Sequence, residues 1–169
     1  MTLFLFFYFA SVIVVTGVLV IALRNPMYSA ISLLVMFFHI AGIYVVLNAE
    51  FIAVIQILIY AGAILVLYLF VVMLLNFKNE ERFQNQLLPA LLIGLTVFTI
   101  ISVVFFKTHF KGIPGEYTIE RIQKMGNTQA VGEVLYTSYL LPFEIASLIL
   151  LVAMVGAIVL TKKGLMRKD

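Results

Sequence analysis

Apolar residues fill this chain in five long blocks separated by short polar breaks. The first block covers residues 2–23 and stops at Arg24-Asn25-Pro26, where a charge, a turn former and a helix breaker coincide. Pro26 suits the first turn of the second block, 27–47, because the N–H it lacks would have no helical partner there. Asn48-Ala49-Glu50 leaves room only for a tight hairpin before the third block, 51–75, which no charge interrupts. Residues 76–82 form a mixed-charge loop, and the fourth block covers 87–106 with Pro89 in its first turn. After a long polar segment, the last block covers 139–160 and a basic tail closes the chain. Each block exceeds the roughly 18 apolar residues that mark a membrane span. The pattern predicts one all-α integral membrane domain, a bundle of five transmembrane helices at about 2–23, 27–47, 51–75, 87–106 and 139–160.

The extramembrane loop, 107–138, reads in two halves. Gly112, Pro114 and Gly115 make the first half irregular. From Thr128 onward, Val131, Val134 and Leu135 fall on one side of a short interfacial helix, with Tyr136 and Tyr139 at headgroup depth.

Composition confirms lipid or other protein as the solvent: 64% of residues are hydrophobic and 11% charged, against about 25% charged in soluble domains. Mean hydropathy is +1.17. The net charge of +3 comes from residues scattered over loops and tail, so it reads as a topology signal and not as a nucleic-acid patch. Seven Lys and Arg (Arg24, Lys78, Arg82, Lys162, Lys163, Arg167, Lys168) fall on one side of five spans and four (Lys107, Lys111, Arg121, Lys124) on the other. The positive-inside rule then puts the N-terminus outside and the C-terminus in the cytoplasm. The first block lacks the basic flank and cleavage site of a secretory signal, so it is expected to remain in the mature protein. No internal repeat points to inverted transporter symmetry.

Chemistry has few places to reside. The chain has no cysteine, and its two histidines, His39 and His109, are far apart, so thiolate ligation and a histidine metal pair are not expected. No Ser-His-Asp set, paired carboxylates or phosphate loop is present, and no catalytic residue is assigned. Polar groups inside spans remain, because each is costly there unless paired or facing water. His39 lies mid-span with Ser29, Ser32, Met36 and Ile43 on about the same face. It reads as a proton-relay or water-holding group, or as a neutral imidazole bonded to an adjoining helix. Gln56 and Tyr60 share a face of the third helix with Ala63 and Leu67, and read as water-holding groups or as interhelical packing. Ala61-Gly62-Ala63 lets another backbone approach or the helix relax locally. Glu144 falls where a first helical turn would begin, and a structural cap accounts for it. Ala146, Ala153 and Ala157, with Gly156 beside them, form a small-residue ridge that predicts a helix partner.

Two segments carry a more specific signal. Residues 50–75, with the Gln56-x-x-x-Tyr60-x-Gly62-Ala63 core, and residues 132–147, Gly-Glu-Val-Leu-Tyr-Thr-Ser-Tyr-Leu-Leu-Pro-Phe-Glu-Ile-Ala-Ser, followed by Ala153-Met154-Val155-Gly156-Ala157, resemble the third and fifth helices of the subunit J family of the proton-pumping NADH:quinone oxidoreductases, respiratory complex I. The Arg24-Asn25-Pro26 turn fits as well, whereas the loop from Lys107 to Met125 and the tail carry no family signal.

The resemblance implies a five-helix subunit without redox centres in a bacterial plasma membrane. It would help couple quinone reduction to proton translocation. Flavin, iron–sulfur clusters and quinone would belong to partner chains, among them a small three-helix subunit, the quinone-site subunit and antiporter-like subunits. It further implies a π-bulge around Tyr60, Ala61 and Gly62 that forms and relaxes beside a water path. The competing readings are the equivalent subunit of a membrane hydrogenase or of a ferredoxin- or F420-linked oxidoreductase, a small independent channel or carrier, and a pure assembly scaffold.

Overall fold

The structure, a computed structural model, describes residues 2–75, 87–107, 115 and 117–162. Those residues are helical wherever they are regular: α1 (Thr2–Ala22), α2 (Pro26–Val46), α3 (Glu50–Ile55), a π-helical segment (Gln56–Ile64), α4 (Leu65–Leu74), α5 (Leu87–Lys107), α6 (Ile119–Met125), α7 (Asn127–Tyr136) and α8 (Leu140–Thr161). Five helical stretches are long and apolar enough to cross a membrane, and α3, the π-segment and α4 form one of them, Glu50–Leu74. The mixed-charge loop at 76–82, Gly112, Pro114 and the basic tail beyond Lys162 lie outside the described residues.

The first turn forms as its residues dictate. Asn25 caps α2 by accepting the Met27 N–H at 2.9 Å, and Pro26 follows at the first helical position. α1 and α2 then pack closely because glycine allows it. A Cβ on Gly42 would sit 2.6 Å from Cε1 of Phe9 on α1, and one on Gly17 would lie 3.6 Å from Sδ of Met36. Ser29 of α2 donates to the Val20 carbonyl of α1 at 2.6 Å, joining the two helices through a polar contact of the kind that replaces the hydrophobic effect inside lipid.

α2 also packs on the third span. The buried positions are mostly small on the α2 side, Ala30 and Ala41, and mixed on the other, Ala53, Gln56, Ala61, Leu65 and Val72. That second series contains a step of five, from Gln56 to Ala61, where an α-helix returns to a face after three or four residues. The extra residue is absorbed in the π-segment, so both flanks of the span keep one face against α2.

Outside the spans, the segment before Thr128 is more regular than its glycines and proline predict. Thr118 caps α6 by accepting the Arg121 N–H at 3.3 Å, and Glu120 occupies the first turn. Thr-x-Glu with no apolar run behind it is a weak helix signal, hence the irregular reading. Gly126 turns the chain with φ 92° into α7, and Arg121 pairs with Glu133 at 3.5 Å to bind the two short helices together. Val131, Val134 and Leu135 line one apolar cleft with Ile122, Ala130 and Tyr139, as the spacing predicts.

Candidate functional site

The third span changes its bonding partway along its length. Over Gln56–Ile64 the helix is π-helical, and the Leu65 N–H that follows still reaches five residues back, to the Tyr60 carbonyl. Single π-turns are rare and sit disproportionately at functional positions. Gly62 fits this geometry: a Cβ built there would meet the Ile57 carbonyl oxygen, five residues earlier, at 3.3 Å. A larger residue there would press on that carbonyl, which would have to give by a few tenths of an ångström.

The extra residue also redistributes the predicted site. Gln56 is 7% exposed and Ala61 4%, both packed toward α2, whereas Ala63 and Leu67 face away. The face shared by Gln56, Tyr60, Ala63 and Leu67 under α-helical spacing is thus corrected, because Ala61 and Leu65 take the places that spacing gave to Ala63 and Leu67. Tyr60 stays at the edge of the face. It is 46% exposed, with its ring edge-on to Phe37 of α2 at 5.8 Å between centroids. The Gln56 side chain forms no hydrogen bond within the described chain, and no buried side-chain nitrogen or oxygen among the described residues lacks a partner. Its amide therefore keeps a narrow opening to the surroundings and can take a water or a neighbouring chain's polar group.

His39 is not part of this cluster. Its ring lies against Tyr8 and Phe9 of α1, at 5.9 and 5.8 Å between centroids, and its Nδ1 donates to the Val35 carbonyl at 2.7 Å. Phe37, which touches Tyr60, is two residues away and so points to the other side of α2. The hydrogen bond within its own helix stands in place of the interhelical one expected, and a carbonyl acceptor requires a proton on Nδ1.

In the last span Glu144 is one turn inside α8, which starts at Leu140 with Tyr139 at the cap position and no side-chain cap. The cap reading is therefore corrected: Glu144 is the fifth residue of α8, past the first turn where a carboxylate would meet free backbone donors. Glu144 is exposed along α8, and its backbone carbonyl accepts from Ser147 at 2.7 Å. Ala153 is exposed as well, and a Cβ on Gly156 would meet nothing within 4 Å.

Sequence reasoning missed Asn127. Its Oδ1 accepts the Phe51 N–H at 3.3 Å and its Nδ2 donates to the Asn48 carbonyl at 3.1 Å, tying α7 to the turn before the third span. The one available signal was a side chain of capping type directly after Gly126, and that signal names a local partner, not one 76 residues away.

Residues 16–160 match the family described as NADH-ubiquinone/plastoquinone oxidoreductase chain 6. The chain is similar to the NADH-quinone oxidoreductase subunit J of Rickettsia felis, with 36% identity over 165 residues covering 95% of this chain and 80% of that one. It is similar to the NADH-ubiquinone oxidoreductase chain 6 of Marchantia polymorpha, with 37% identity over 169 residues, 93% of this chain and 85% of that one. The corresponding chain of Prototheca wickerhamii is 38% identical over 182 aligned residues, 96% and 88% of the two chains.

Proposed function

The chain belongs to the NADH-ubiquinone/plastoquinone oxidoreductase chain 6 family, and from that premise we propose that its third span is a gating element helping to couple quinone reduction to proton translocation. The chain is a subunit of an NADH-quinone oxidoreductase complex, and its partners are other subunits of that complex. The π-segment at Gln56–Ile64 carries the reading. A π-turn holds one more residue than an α-turn, so its relaxation rewinds the span locally and swings Tyr60 at the edge of the packed face. Tyr60 and the amide of Gln56 can then hold water in one state and release it in the other, next to acidic groups of adjoining subunits. Gly62 keeps the cost of that change low. His39, on the far side of α2, stands outside the path.

In this reading flavin, iron–sulfur clusters and quinone reside in partner chains, among them the small three-helix subunit, the quinone-site subunit and the antiporter-like subunits. The membrane is the bacterial plasma membrane, with the N-terminus outside and the C-terminus cytoplasmic. The chain has no cysteine, so single cysteines placed at each terminus report orientation; labelling of both by an impermeant reagent in right-side-out vesicles would overturn it. Gly62→Leu tests the gate. It is expected to leave NADH-to-quinone electron transfer largely intact while lowering the protons pumped per electron. An unchanged ratio in a fully assembled Gly62→Leu complex refutes gating here.

A further inference from the structure

The first four N–H groups of a helix have no partners inside it, and the third span opens without a local acceptor. Ala49 stands at its cap position and offers no side-chain oxygen. The acceptor comes from Asn127, the first residue of α7, which takes the Phe51 N–H on one half of its carboxamide and donates to the Asn48 carbonyl with the other. These bonds cross 76 and 79 residues of chain. One side chain therefore grips both sides of the turn.

The turn and its anchor are each fixed independently. Asn48 has φ 57°, and the N–H groups of Asn48 and Ala49 reach back to the Val45 and Tyr44 carbonyls. On the other side α7 is held to α6 by Arg121 and Glu133, and below them Ile122, Ala130 and Val134 line one apolar cleft.

We propose that Asn127 is a positioning residue for the third span: it locks the opening turn to the extramembrane α6–α7 hairpin, so that a change of bonding in the π-segment is passed along the span. Converting a π-turn to an α-turn shifts one flank against the other by the rise of a residue, about 1.5 Å, and rotates it. A loose flank would absorb that shift as slippage. The π-segment begins only five residues after Phe51, so the opening turn is the nearest place where slippage could occur. The use of the lock in coupling rests on the gating reading above, whereas the lock itself does not.

Amide hydrogen exchange of the assembled complex, followed in peptides spanning residues 48–56, reads the lock. The NADH-driven ratio of protons to electrons reads its use. In the unaltered complex the Phe51 amide exchanges slowly; exchange at the unprotected rate overturns the lock without any variant. Asn127→Ala raises the Phe51 rate about five- to tenfold, the size of effect expected for a lost helix cap. Asn127→Asp keeps the acceptor for the Phe51 N–H and so retains its protection, while the donor to the Asn48 carbonyl is lost. Equal rates in Asn127→Ala and the unaltered complex overturn the proposal. If the alanine variant does not assemble, loss of Phe51 protection in Asn127→Asp overturns it as well. A proton ratio that falls in Asn127→Ala at unchanged quinone reduction, and recovers in Asn127→Asp, supports the coupling role. Where Gly62→Leu lowers the ratio and Asn127→Ala does not, that role of Asn127 fails and gating stands. Where neither lowers it, gating fails while the exchange data still decide the lock.

Discussion

The first three spans and the last two solve the same problem in different ways. α1 and the third span each pack on α2, with buried positions at Thr16, Ala30, Ala41, Ala53, Gln56, Ala61, Leu65 and Val72. α5 touches no other described element, α8 touches only α7 among the described elements, and no residue from 88 to 107 or from 140 to 161 is buried. Both groups are equally apolar, so hydropathy does not separate them. Small residues opposite large ones do. Gly42 receives Phe9, and Ala30 and Ala41 line the side of α2 that meets the third span, whereas Gly94 and Gly156 meet nothing within 4 Å. In lipid, helices gain little from apolarity and associate through close packing and interhelical hydrogen bonds. A span whose small residues meet no other described element leaves that face to lipid or to a neighbouring chain, two outcomes that substitution on the face separates.

The largest effect is expected where that packing is tightest. Gly42→Leu drives a side chain into Phe9, and overpacking of this kind costs about 1–3 kcal/mol. Most of the assembled complex should disappear from the membrane, and the added change Phe9→Ala should restore part of it by clearing the space. Normal levels of the single variant, measured on native gels, would show that α1 and α2 are not held by this contact.

A smaller effect is expected in the bare region. Ala153→Leu lies on an exposed ridge of α8, which among the described elements touches only α7, so a loss of assembly would point to a partner helix. Reduced assembly with normal proton pumping in the complex that survives is the expected result. Full assembly with lost pumping would assign the ridge to function, and full assembly with normal pumping would turn it toward lipid, erasing the contrast between the two regions.

Much of the architecture was legible because each rule involved is local. Arg24-Asn25-Pro26 ends one helix and starts the next through charge, capping and a missing N–H. The π-segment encloses Tyr60, Ala61 and Gly62, which the family resemblance singled out and no periodicity did. The relation of His39 to Gln56 was not legible: both are polar groups in neighbouring spans, and nothing in either segment says which side of α2 each meets. Glu144 suits the positive end of a helix by its charge, yet α8 starts at Leu140 and leaves it past the first turn.

By itself the sequence determined how many helices cross and where they stop, because long apolar blocks and polar breaks are properties of contiguous residues. Tertiary structure decided which face of each helix is covered, since a helix apolar all round has no moment to orient it. It also decided the five-residue step from Gln56 to Ala61 and the lock between Asn127 and the Asn48 turn. The step depends on keeping two flanks of one span against a single neighbour. The lock depends on donors and acceptors brought together across 76 and 79 residues of chain, which no local pattern can encode.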